Sequence, residues 1–260
     1  MDKPSNNRAI GLFLLLVLFL TLPFYYLIAQ KGVTVAWMLA LVPLPAALIF
    51  VFREEKGGVG KLLKRYSIKI PKVIWYVPTI LLMPVIWFLA DRVLSLFTDI
   101  PTPVLLVEQW PFLFILLLVT GSTEEIAWMG YVFDPLEERW KTFNATLILG
   151  IIWVIWHVPA YYILGQSITQ IVVFSIFMIG WRFLIVWIYK NTGKSLFTPS
   201  LFHAMGNLTM AGVQLSIFNV EVVGFLGLVI LGVITIITAF VVILLWGSEL
   251  DKYGYSRTSK

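Results

Sequence analysis

The chain has 260 residues, of which 60% are hydrophobic and only 13% are charged. Soluble domains carry about 45–50% apolar and about 25% charged residues, so this composition describes a polytopic membrane protein. The net charge of +5 lies in short segments between apolar runs, which fits topology signals and not nucleic-acid binding, and the absence of cysteine removes disulfides, iron–sulfur ligation and thiolate nucleophiles.

Apolar runs of about 20 residues are the unit that crosses a bilayer. They fall at 10–30, 34–52, 73–97, 108–133, 143–163, 168–190, 196–215 and 223–246. The predicted fold is therefore all-α: a single membrane domain over residues 1–260, a bundle of about eight transmembrane helices. The first run follows a head carrying Lys3 and Arg8, lacks a small-residue cleavage site and is interrupted by Pro23. It reads as a retained span and not as a removed signal peptide. The segment between the second and third runs carries Arg53, Lys56, Lys61, Lys64, Arg65, Lys69 and Lys72. Placing it in the cytoplasm puts Arg139, Lys141, Lys190, Lys194 and the tail with Lys252, Arg257 and Lys260 on the same side, so both termini are expected inside. The opposite loops hold Lys31, the Asp91, Arg92 and Asp99 group, an uncharged stretch, and Glu221. Within the first basic segment, Val59, Leu62, Leu63 and Tyr66 recur at helical spacing, which fits either a basic helix at the interface or a solvated loop.

Pro78 and Pro84 predict a kink in the third span. The tryptophans Trp75, Trp87, Trp110, Trp140, Trp181 and Trp187 read as interfacial belt and packing. The last span is apolar throughout and reads as structural. No glycine-rich phosphate loop is present, which argues against an ATP-driven function.

Chemistry concentrates in the stretch Gly121 to Asp134, where Glu124 and Glu125 stand side by side inside a span. A charge at membrane depth costs several kcal/mol and persists only when partnered or facing a polar cavity. The chain's two histidines, His157 and His203, also sit inside spans. Helical rise places Glu124, His157 and His203 roughly 15, 20 and 10 Å from the cytoplasmic ends of their spans, so the three overlap in depth in the cytoplasmic half. Trp153 shares a helix face with His157, as Asn207 does with His203, while Glu125 faces Met129 and Glu124 points elsewhere. A desolvated glutamate suits a general base for water. The imidazoles share its proton, bind a metal or donate to an oxyanion, and the Asn amide is a further donor. The helical zinc signature H-E-x-x-H is absent.

These residues resemble the CPBP membrane proteins, which include the type II CAAX prenyl endopeptidases and bacteriocin-processing or immunity proteins. That family's motifs, E-E-x-x-x-R, F-x-x-x-H and H-x-x-x-N/D, correspond here to Glu124-Glu125-Ile-Ala-Trp-Met129, Trp153-Val-Ile-Trp-His157 and His203-Ala-Met-Gly-Asn207, within a core of about 105–215. The resemblance implies an intramembrane endopeptidase acting on a membrane-associated protein or peptide. In it Glu124 and His157 activate water, His203 and Asn207 hold the oxyanion, and Glu125 supports them. The family contains metal-independent glutamate proteases and metalloproteases. Both stay open, and a divalent metal such as zinc would be held by Glu124, His157 and His203. Two positions depart from the motifs: Trp153 for Phe and Met129 for Arg. Arg182, at matching depth in the sixth span, is expected to supply Glu125 with the missing cation, since a buried arginine needs an acidic partner. The alternatives are a non-catalytic immunity or scaffold protein, which Met129 favours, and a proton-coupled transporter, which the lack of an inverted repeat disfavours. The expected location is a bacterial plasma membrane, with the lipid bilayer and a peptide substrate as partners and no nucleic acid.

Overall fold

The structure, a computed structural model, describes residues 7–98, 110–217 and 221–252. Lys3, Asp99, Arg257 and Lys260 fall outside them. Every regular element among the described residues is helical: α1 (Asn7–Lys31), a 3-10 helix (Gly32–Leu41), α2 (Pro43–Glu54), α3 (Gly58–Lys64), a 3-10 turn (Val73–Trp75), α4 (Tyr76–Leu94), α5 (Trp110–Ala127), a π-helical segment (Trp128–Phe133), α6 (Asp134–Ile163), α7 (Ile168–Asn191), α8 (Phe197–Ile217) and α9 (Glu221–Trp246). Lipid offers backbone groups no partner, so an apolar run must satisfy its own by coiling. Among the described residues, five stretches are long and apolar enough to cross a membrane: Arg8–Glu54, Val73–Leu94, Trp110–Ile163, Ile168–Asn191 and Gly224–Trp246. The first and third are 47 and 54 residues long, and each accommodates two of the expected spans. Leu15, Phe19, Phe112 and Leu244 are exposed on the outside of the bundle, which a water-soluble surface would not tolerate in such density but lipid accepts.

Two expected spans differ in form. The run 34–52 is not one α-helix: its first part is the 3-10 helix, and α2 starts at Pro43. Proline has no N–H to give to the preceding turn, so the α-helical ladder restarts there. The span predicted to end at 133 instead continues through the π-helical turn into α6, and the chain reverses at Lys141, where φ is 62° and ψ 164°. Pro84 lies inside α4 as expected. The segment with Val59 and Leu62 does form a helix, α3, whose Leu62 is buried.

Helices in a bilayer associate through close packing and small residues, since lipid tails are as apolar as leucine. At Gly121 of α5 a Cβ would lie 3.1 Å from the Ser200 carbonyl and 3.6 Å from His203 Cβ. Glycine there lets α5 and α8 approach closely, which brings Glu124 and Glu125 beside His203. At the centre of the bundle α7 is buried without interruption from Gly180 to Asn191. Trp75, Trp87, Trp181 and Trp187 belong to this packed interior, while Trp140 is exposed.

The basic segments meet at one end of the bundle. Arg65 pairs with Asp134 at 2.8 Å, Lys194 reaches Asp134 at 3.0 Å and Glu137 at 2.8 Å, and Lys190 also pairs with Glu137. Tyr189 donates to Asp134 at 3.0 Å, and Ser195 Oγ donates to the Ser67 carbonyl at 2.6 Å. Burial works against the Lys194 charge, but Asp134 and Glu137 outweigh it and raise its pKa; Arg65 is raised in the same way against burial, by Tyr189 and Asp134. The loops that charge counting placed together thus interlock, and Leu62 and Leu196 close over Gly130 beneath them.

Candidate intramembrane active site

The carboxylates of α5 divide. Glu125 is fully buried; its Oε2 accepts from Arg182 Nη1 at 2.7 Å and its Oε1 bonds His203 Nδ1 at 2.8 Å. The predicted pairing of Arg182 with Glu125 is therefore present, and Arg182 Nη1 also lies 3.9 Å from Met129 Sδ. Glu124, one residue earlier and turned about 100° around the helix, lines a cavity and accepts a hydrogen bond from Trp153 Nε1 at 2.8 Å on Oε2. The π-helical turn follows directly. Such turns recur at functional sites because they re-aim side chains within a helix.

His157 Nδ1 donates to the Trp153 carbonyl at 2.8 Å. A carbonyl only accepts, so the Nδ1 proton is fixed and Nε2 is the nitrogen left for chemistry. On His203 the Glu125 contact likewise occupies Nδ1 and leaves Nε2. The Trp153 ring stands between the two imidazoles, with centroids 5.1 Å from His157 and 5.6 Å from His203. The rings of Trp181 and Tyr161 flank the pair: Trp181 is edge-on to His203 at 5.0 Å, and Tyr161 stacks on His157 at 6.0 Å. Gly206 makes room for Trp181, because a Cβ there would sit 2.4 Å from the indole.

Glu124, Trp153, His157, His203 and Asn207 all line one cavity of about 700 Å³. Arg182 and Glu125 lie behind it, at 0% exposure. Sequence reading missed the walls that Tyr161 and Trp181 provide. Trp181 adjoins Arg182 in sequence, and Tyr161 is one helical turn beyond His157, the only signals that pointed to them. The cavity runs from the carboxylate past Tyr161 to Gly165 and Gln166 at the α6–α7 turn, and to Trp37 of the 3-10 helix. Those are the ends away from the basic cluster. Measured along α6 from the turn at Lys141, His157 is roughly 24 Å deep. The cavity's mouth faces the end opposite the basic cluster.

Among the described residues, no three His, Asp or Glu side chains converge into a set able to hold a metal ion. The two free Nε2 atoms are the right donors, and Nδ1 anchoring is the usual support for metal-ligating histidines. However, Glu124 completes no three-ligand group with them among the described residues. This arrangement does not fit the metal centre that the family's metalloprotease members imply.

Residues 106–209 match the family described as type II CAAX prenyl endopeptidase Rce1-like. A curated relative, CAAX prenyl protease 2 of Methanococcus maripaludis, is 35% identical over 106 residues, 38% of this chain and 39% of its own length. The match thus spans about two fifths of either protein, and it contains Glu124, Glu125, His157, Arg182, His203 and Asn207. Set in a helical membrane bundle, this stretch is similar to the type II CAAX prenyl endopeptidases.

Proposed function

We propose that this protein is an intramembrane endopeptidase that hydrolyses a peptide bond of a membrane-associated protein or peptide. The observation that carries the reading is the convergence of Glu124, His157, His203 and Asn207 on one cavity, with Glu125 and Arg182 paired behind it. Glu124 keeps Oε1 free of the Trp153 hydrogen bond and accepts a proton from water there. His157 Nε2, its tautomer set by the Trp153 carbonyl, shares that proton and passes it to the leaving amine. Attack of the water oxygen on the scissile carbonyl builds negative charge on the carbonyl oxygen. His203, doubly protonated with its Nδ1–H on the Glu125 carboxylate, donates to it from Nε2, and the Asn207 amide is the second donor. Removing one such donor typically costs about 10²–10³ in rate. Glu125 orients His203 through Nδ1, and Arg182 neutralises Glu125.

The feature favouring a non-catalytic scaffold, the arginine missing at 129, is offset by Arg182 on the same carboxylate. The relative is named a CAAX prenyl protease. For this chain the substrate class we propose is broader, a membrane-inserted peptide, and the location a plasma membrane with the basic end in the cytoplasm. The test is cleavage of a quenched-fluorescent membrane-peptide library by the purified chain in liposomes, with and without a chelator. Glutamate chemistry predicts chelator-insensitive cleavage. Loss of cleavage on chelation, regained with zinc, would contradict it.

A further inference from the structure

The two departures from the family motifs, Trp153 and Met129, meet at one point. Met129 Sδ lies 3.9 Å from Arg182 Nη1, so the guanidinium from α7 fills the space into which an arginine at 129 would extend. Coming from another helix, it reaches Glu125 with Nη1 alone: its Nε and Nη2 are buried without a hydrogen-bond partner. A buried cation with two idle donors needs another source of stabilisation. The Trp153 ring provides one, since Arg182 Cζ lies 4.1 Å from its centroid, well within cation–π range and on the aromatic with the strongest face. The same indole donates its N–H to Glu124 at 2.8 Å. Phenylalanine at this position would offer a weaker face and no donor.

We propose that Trp153 is a positioning residue that seats Arg182 on its ring face and aims the Glu124 carboxylate through its N–H. The substitutions at 129 and 153 are then one linked adaptation to an arginine delivered from α7. The role toward Glu124 rests on the peptidase reading; the linkage does not. In a chain with arginine at 129, the ring would no longer carry a guanidinium arriving from α7, and phenylalanine would serve.

The test places Trp153→Phe in two backgrounds of the full chain, the natural one and one with positions 129 and 182 exchanged (Met129→Arg with Arg182→Met). Melting in detergent and hydrolysis of a quenched-fluorescent membrane peptide are both read. In the natural background Trp153→Phe lowers the melting temperature by several degrees and kcat by about tenfold, with KM changed less than about threefold. In the exchanged background both effects shrink to roughly a third or less, the non-additivity expected of contacting groups. Equal losses in the two backgrounds overturn the linkage. If no variant cleaves, wild type included, the peptidase reading fails while the melting cycle still decides the linkage. Should the exchanged background not fold, Arg182→Lys replaces it: lysine keeps a charge for Glu125 without a planar face. Trp153→Phe then adds little further loss of melting temperature, and additive losses refute the proposal.

Discussion

Replacing Arg182 by methionine removes the cation from a carboxylate with no access to water. Both side chains of the pair are at 0% exposure and 2.7 Å apart. Breaking a buried pair by removing one partner costs about 3–5 kcal/mol, because the survivor's charge is left uncompensated. His203 still bonds the other oxygen of Glu125 at 2.8 Å, so the lower end, about 3 kcal/mol, is the expected loss. For a chain of this size that corresponds to a fall in melting temperature of about 6–12 °C. The assay is thermal unfolding of detergent-purified protein, followed by tryptophan emission. A companion variant, Glu125→Gln with Arg182→Met, removes both charges and recovers at least half of the loss, since a neutral pair carries no desolvation penalty. A single variant within about 1 kcal/mol of wild type, or a double variant as unstable as the single, refutes the idea that the pair is a buried, mutually dependent charge couple.

Other consequences follow from particular contacts. Gly206→Ala places a methyl group 2.4 Å from the Trp181 ring, so it destabilises by about 1–3 kcal/mol and displaces the wall beside His203; unfolding and hydrolysis measured on the same preparation check both effects. Lys194 has its pKa raised by Asp134 and Glu137 against burial. Its contribution to stability is therefore fully present below the unfolded value of about 10.4 and is lost as pH rises through the higher folded value. An alkaline melting series shows this fall in wild type, and it is smaller in Lys194→Met. Because the chain has no cysteine, single introduced thiols report which face the cavity opens on. In intact cells Gln166→Cys reacts with an impermeant maleimide, while Lys69→Cys reacts only after permeabilisation; the reverse pattern contradicts the positive-inside orientation.

Much of the site was legible because charge is so costly in lipid that each buried polar residue announces itself. Glu124, His157 and His203 stood out on that ground, Asn207 as the polar residue one turn from His203, and Arg182 as a buried cation at matching depth to replace the arginine missing at 129. What stayed hidden was local helix form. An all-apolar run has no period to distinguish a 3-10 helix from an α-helix, so the Gly32–Leu41 segment looked like the start of an ordinary span. The reversal at Lys141 uses a positive φ on a residue that carries no turn signal. Trp153 read only as a departure from the motif phenylalanine, because the indole N–H matters only once its partner, Glu124, is known to lie beside it.

The most direct measurement of the central claim compares hydrolysis of one cleaved membrane peptide by wild type, Glu124→Gln, His157→Ala and His203→Ala, each first shown to melt close to wild type. Glu124→Gln keeps an acceptor for the Trp153 N–H but cannot take a proton from water, so the account predicts that its turnover falls at least about 10²-fold, in the range that general-base groups contribute. The two histidine variants fall comparably. A well-folded Glu124→Gln protein that still cleaves at the wild-type rate would contradict the assignment of Glu124 as the water-activating base.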